Sequence, residues 1–170
     1  MAQQEKGTPP AKSFDDGPGL VATMKFIQDT LNAVGPVNYT SYGHDSDNGH
    51  NWANHFSNEV SIVAASPAAC RINYHYKAIR DGKVLMDAGA GFLLKDVQRV
   101  DVVTRKQYFD EENLAIGHPS WTAKVDPTVF VVRVQKSSRG ENQFLFLDEQ
   151  LANRVAQAIT NAVELCVHNK

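Results

Sequence analysis

Five side chains in one short polar stretch, His44, Asp45, Asp47, His50 and His55, are of the types that ligate metals or move protons. Imidazole and carboxylate bind a divalent ion, and a metal-bound water is a nucleophile near neutral pH. A metal-assisted hydrolase working through His44, Asp47 and His50 is therefore one reading of the chain. The spacing fits no established ligand set. There is no HExxH, and the glycine of Asp45, Asp47 and Gly49 falls at the fifth rather than the sixth position of a calcium loop. Asp, Asn, Ser and Gly are also what turns are built from, so a plain polar loop is the stronger reading of these residues.

A second group is His118 with Asp110, Glu111 and Glu112, which offers an acid and a base, although Glu111 and Glu112 also suit the start of a short helix. No G-x-S-x-G, phosphate-binding glycine loop or G-x-G-x-x-G is present, and neither cysteine has a histidine beside it in sequence. No catalytic residue and no cofactor is assigned. Cys70 and Cys166 belong to no CxxC pair, which disfavours zinc. They read either as a disulfide tying the last helix to the sheet or as two buried thiols, and both readings stay open. A bond closing so long a loop stabilises by roughly 4.7 kcal/mol on the chain-entropy model.

The elements that must position these residues follow from periodicity. Residues 1–17, rich in Gly and Pro with Phe14 their one large apolar side chain, are expected to be a disordered lead-in. A helix starts near Asp16, with Pro18 in its first turn, and carries Leu20, Met24, Ile27, Leu31 and Val34 to a stop at Gly35-Pro36. Val37 to Tyr42 alternates as a strand, as does Trp52 to Ala64, with Trp52, Phe56, Val60 and Ile62 inward. Ile72, Tyr74, Tyr76 and Ala78 form the next strand, which places His75 off the core face. Asp81-Gly82 is a tight turn, followed by a return strand broken at the small residues Ala88 to Gly91.

A helical turn at Lys95 to Val97 and a strand around Val100 to Val103 come next. Lys106 to Thr128 is the longest stretch without clean periodicity, holding at most a short helix near Tyr108 to Ile116. Val129 to Val134 and Gln143 to Leu147, joined by Ser137 to Gly140, form a hairpin. Asp148 then caps a helix whose apolar face is Leu151, Val155, Ala158, Ala162 and Cys166.

Composition narrows the rest. The 170 residues, 42% of them hydrophobic, suit one domain over 18–170. Seventeen basic against nineteen acidic residues give a net charge of −2, which argues against nucleic acid as a partner. No apolar run is long enough for a transmembrane segment. The start Met1, Ala2, Gln3, Gln4, Glu5 lacks a signal-peptide pattern, yet Ala-Gln-Gln resembles a mature end left by cleavage, so an exported or periplasmic location is favoured over a cytoplasmic one.

Several antiparallel strands closed by a hairpin and one C-terminal helix, carried by Arg71 to Asp87, Val97 to Arg105 and Val129 to Cys166, resemble the pleckstrin-homology-like (PH-like) superfold. The layout is also similar to uncharacterised bacterial domains of unknown function. The resemblance implies an α+β fold, a strongly bent antiparallel sheet or partly open barrel of about seven strands closed by a C-terminal helix, here with an additional N-terminal helix. A fold of this kind does not fix a function. Members that bind phosphoinositides place Lys and Arg on the loop matching Ala65 to Cys70, where only Arg71 stands at the edge, so phosphoinositide binding is not expected. Lys77, Arg80 and Lys83 cluster at the other end of that hairpin and read as a solvated tip.

The expectation is a non-enzymatic binding module for a protein or peptide, taken at an exposed edge beside the C-terminal helix. Tyr108, Phe109, His118 and Trp121 would supply the contacts. A structural homodimer is the remaining alternative.

Overall fold

The computed structural model of the protein describes residues 19–168, so the expected lead-in over 1–17 and the helix start at Asp16 and Pro18 lie outside the described residues. Helix α1 (Leu20–Val34) buries Met24, Ile27 and Leu31, spaced to one side, and leaves Lys25 and Asp29 to pair on its wet side. Gly35, at φ 69°, turns the chain out of the helix where an L side chain would be strained.

Strands β1 (Val37–Asp45), β2 (Asn51–Ser66), β3 (Arg71–Arg80) and β4 (Lys83–Leu93) pair antiparallel in succession. A short 3-10 turn, Leu94–Asp96, leads to β5 (Val97–Thr104), then to helix α2 (Arg105–Ala115) and β6 (Trp121–Asp126). Strands β7 (Phe130–Lys136) and β8 (Glu141–Phe146) form the expected hairpin before helix α3 (Glu149–His168). β6 joins the free side of β1, so one sheet has the order β4-β3-β2-β1-β6 and the other β5-β7-β8. The fold is α+β: a bent five-stranded antiparallel sheet, a second sheet of three strands, and helices at both chain ends, with no closed barrel.

Most of the core gathers at α3. Its Ala152, Val155, Ile159 and Ala162 join Val132, Val134, Phe144 and Phe146 of the small sheet, Ile72, Tyr74 and Phe92 of the large one, and the buried face of α1. Burial of each such large side chain stabilises by roughly 1.5–3 kcal/mol. The Asp148 carboxylate caps α3 by accepting from the Leu151 amide at 3.0 Å. Cys70 and Cys166 are bonded, across a sequence separation of 96 residues, which fastens the end of α3 to the β2–β3 turn.

Three stretches differ from the sequence reading. Ile62 is 79% exposed instead of inward, because the β2–β3 register shifts between Ser61 and Ala64 and Val63 takes the buried place. At this bulge Ile62 has φ 51°, a costly conformation for a β-branched residue. Helix α1 holds it there: Asn32 accepts from the Val63 amide (2.8 Å) and donates to its carbonyl (3.1 Å), while Gln28 accepts from the Ala65 amide (3.0 Å). β4 runs unbroken through Ala88 to Gly91, and its irregularity falls opposite Ala78 and Ile79, at Leu85. Within Lys106 to Thr128 the expected short helix is present as α2, which starts earlier, at Arg105, and β6 is a strand the periodicity did not announce.

Candidate binding surfaces

The polar stretch after β1 spends its chemistry on a turn. Asp45 accepts from the Asp47 amide (3.0 Å) and the Ser120 hydroxyl (2.9 Å) through Oδ1, and from the Trp121 indole N–H (3.1 Å) through Oδ2. Those hydrogen bonds, led by the Asp47 amide, hold its carboxyl below the usual range. The His50 amide donates to Asn48 Oδ1 (2.8 Å), His44 Nδ1 lies 2.6 Å from Asn51 Oδ1 across the β1–β2 ladder, and His55 Nδ1 lies 2.9 Å from the Thr40 hydroxyl. His44, Asp47 and His50 do not converge. Among the described residues no three His, Cys, Asp or Glu side chains come together to hold a metal.

The same end of the sheet carries an aromatic row that joins two separately chosen parts of the sequence. The His118 ring lies flat on Trp121 at 3.9 Å, Trp121 meets Trp52 edge-on at 5.2 Å, and His50 lies 5.8 Å from Trp52. Gly43 makes room for it: a Cβ there would sit 1.9 Å from the Trp52 ring. His118 and Trp121 are thus brought together, but on each other. A small, partly open pocket between the sheets, lined by Asn58, Val60, Tyr76 and Phe144, measures about 10 Å³, room for about one water.

Tyr108 and Phe109, the other aromatic candidates, stand half-buried against Arg105, whose guanidinium lies 4.7 and 4.6 Å from their ring centres. Arg105 is itself buried and donates to the Tyr39 hydroxyl and to Gln143 Oε1, each at 3.0 Å. Burial pushes the Tyr39 phenol up, against the opposing pull of Arg105. Beside it Arg133 donates twice to Asp101 (2.8 Å) and once to Glu111 (2.9 Å). Arg133 holds the Asp101 carboxyl below its ordinary range, and hydrogen bonds from Gln107 and then Arg133 do the same for Glu111. Asp110 pairs with Lys106 and accepts from the Ala123 amide (3.1 Å), so α2 covers part of the free edge of β6.

The β3–β4 wing is finished differently. Its turn places Asp81 (φ 49°) and Gly82 (φ 78°) in the left-handed region, the geometry of a tight hairpin. β4 is the last strand of the large sheet, and from Lys83 to Gly89 every residue is exposed. Val84, Leu85 and Met86 keep 56, 50 and 51% of their surface in water. Next to them, Asp87, Ala88, Gly89, Ala90 and Gly91 form a lane of mostly small side chains. Gly91 is needed because a Cβ would strike Asn73, whereas nothing lies within 4 Å of one at Gly89. The sequence signal was the run of small residues, which reads as a break but is a strand with little of its own to bury. The buried Arg105 and Arg133 carry no sequence signal, since Arg105 beside Lys106 and Gln107, like Arg133 among valines, looks like a surface residue.

Neither family models, curated proteins nor solved structures give any match to this chain.

Proposed function

We propose that this protein is a non-enzymatic module that binds another protein or peptide, and that the β4 edge receives the partner. The single observation behind this reading is an exposed terminal strand of eleven residues, Lys83–Leu93, whose outer backbone groups have no strand beside them among the described residues. An extended segment gains main-chain hydrogen bonds by joining such an edge, and proteins that do not use one usually cover it or load it with charge. Here only Lys83 and Asp87 carry charge along it.

The two antiparallel sheets followed by a C-terminal helix support the PH-like layout, and the Cys70–Cys166 bond supports an oxidising, exported setting. Tyr108, Phe109, His118 and Trp121 act as supports in this reading: they pack on Arg105 or on one another, which leaves the edge itself to make the contacts.

Selection of random extended decapeptides on the immobilised protein, followed by amide exchange with the winners bound, tests the proposal. Protection concentrated in residues 84–91 is expected. Enriched peptides that protect another surface, or the absence of any enrichment, would refute it.

A further inference from the structure

Charge on the wing is unevenly settled. Between Arg71 and Leu93 the chain has four basic residues, Arg71, Lys77, Arg80 and Lys83, against Asp81 and Asp87, a net of +2 within a protein of net −2. Both acids are engaged: Asp81 accepts from the His55 amide at 2.8 Å, and Asp87 lies 2.5 Å from His75 Nε2. The bases are not. None of the four makes an ion pair with a carboxylate among the described residues, and Arg71 donates only to Asn73.

The register places these cations beside the open lane. Lys77 stands opposite Asp87 and Arg71 opposite Leu93, with His75 opposite Gly89 and Asn73 opposite Gly91 between them, so Gly89 lies on the diagonal next to Lys77. A strand added to β4 would lie roughly 10 Å from β3, two inter-strand spacings. On the diagonal past Gly89, Lys77 and an aspartate or glutamate of the added strand together span that distance.

We infer that the partner taken at the β4 edge is an extended acidic segment, one of whose carboxylates reaches past Gly89, where nothing lies within 4 Å of a Cβ, to Lys77 while Lys83 and Arg80 receive its end at the hairpin tip. This rests on the strand-addition reading above. The lane favours a peptide over an anionic lipid surface, because its distinguishing feature is an uncovered backbone ladder, which a headgroup does not use.

The test takes the peptides selected above and remakes them with Asn and Gln in place of Asp and Glu, with fluorescence anisotropy as the readout. Acidic winners, a loss of about tenfold in affinity on neutralisation, and a loss of about two- to fivefold for Lys77→Gln and for Lys83→Gln are expected, all shrinking as salt rises. Gly89→Glu should abolish binding without disturbing the fold, which thermal unfolding verifies. Peptides that protect 84–91 yet bind equally well when neutralised would overturn the acidic partner and leave the strand-addition reading standing. No protection of 84–91 by any peptide would remove both. Phosphatidylserine vesicles are the control: vesicle binding that Lys77→Gln and Lys83→Gln weaken, with no acidic peptide selected, would assign the basic wing to membranes and overturn the inference.

Discussion

The half of the molecule built around α3 and the wing carried by β3 and β4 treat charge and backbone in opposite ways. In the first half Arg133 is shared by Asp101 and Glu111, and Arg105 is enclosed by Tyr39, Tyr108 and Phe109. The small sheet is covered by a helix that is capped at its start and bonded to Cys70 near its end. On the wing, four cations lack an anionic partner among the described residues, and three large apolar side chains stand in water. Burial explains the difference. A buried guanidinium must be matched or it destabilises the fold, whereas an exposed lysine costs little to leave alone. Unsettled charge is therefore informative only where the backbone beside it is also unused.

Breaking the closed half should cost most. Cys166→Ser removes the constraint on a long loop and is expected to lower stability by about 4.7 kcal/mol on the chain-entropy model, measured by urea unfolding, with peptide binding at β4 intact wherever the variant is folded. Arg105→Ala should cost about 2 kcal/mol, from lost ring contacts and two charge-assisted hydrogen bonds. If it proves neutral, the enclosure of Arg105 contributes nothing to the closed half.

A smaller effect sharpens the contrast through pH. The folded-state carboxyls of Asp101 and Glu111 lie below their ordinary values. Their contribution is thus complete above those ordinary values, near pH 4, and is lost as pH falls through the depressed folded ones. Asp101→Asn should flatten the acid limb of stability against pH, and an unchanged limb would place the linkage elsewhere. The wing should respond least: Leu85→Ser is expected to shift stability by less than about 0.5 kcal/mol.

How much of this was legible in the sequence follows the same division. Met24, Ile27 and Leu31, and Val155, Ala158, Ala162 and Cys166, reveal both terminal helices because burial enforces a period along the chain. The β7–β8 hairpin was readable for the same reason. Ile62 was misread because a bulge, held by side chains of α1 far away in sequence, resets the alternation. β6 was missed because it is short, and its Trp121 and Ala123 are positioned by Asp45 and Asp110 rather than by an apolar period. The residues around His44, Asp47 and His50 read as the vocabulary of a turn, but only the fold shows the Asp45 carboxylate tying that turn to Ser120 and Trp121. The β4 edge escaped notice since alternation marks which residues are buried, not which strand lacks a neighbour.

The central claim is that β4, the last strand of the large sheet among the described residues, offers an unused backbone edge. Residue-resolved amide exchange by NMR on the protein without any partner measures this directly. The account predicts that alternate amides within 86–91 exchange almost as fast as in an open chain, while those of Val131, Val132 and Val134 on β7 exchange only on global unfolding. Uniformly slow exchange along β4, matching β7, would show that the edge is already covered and would contradict the account.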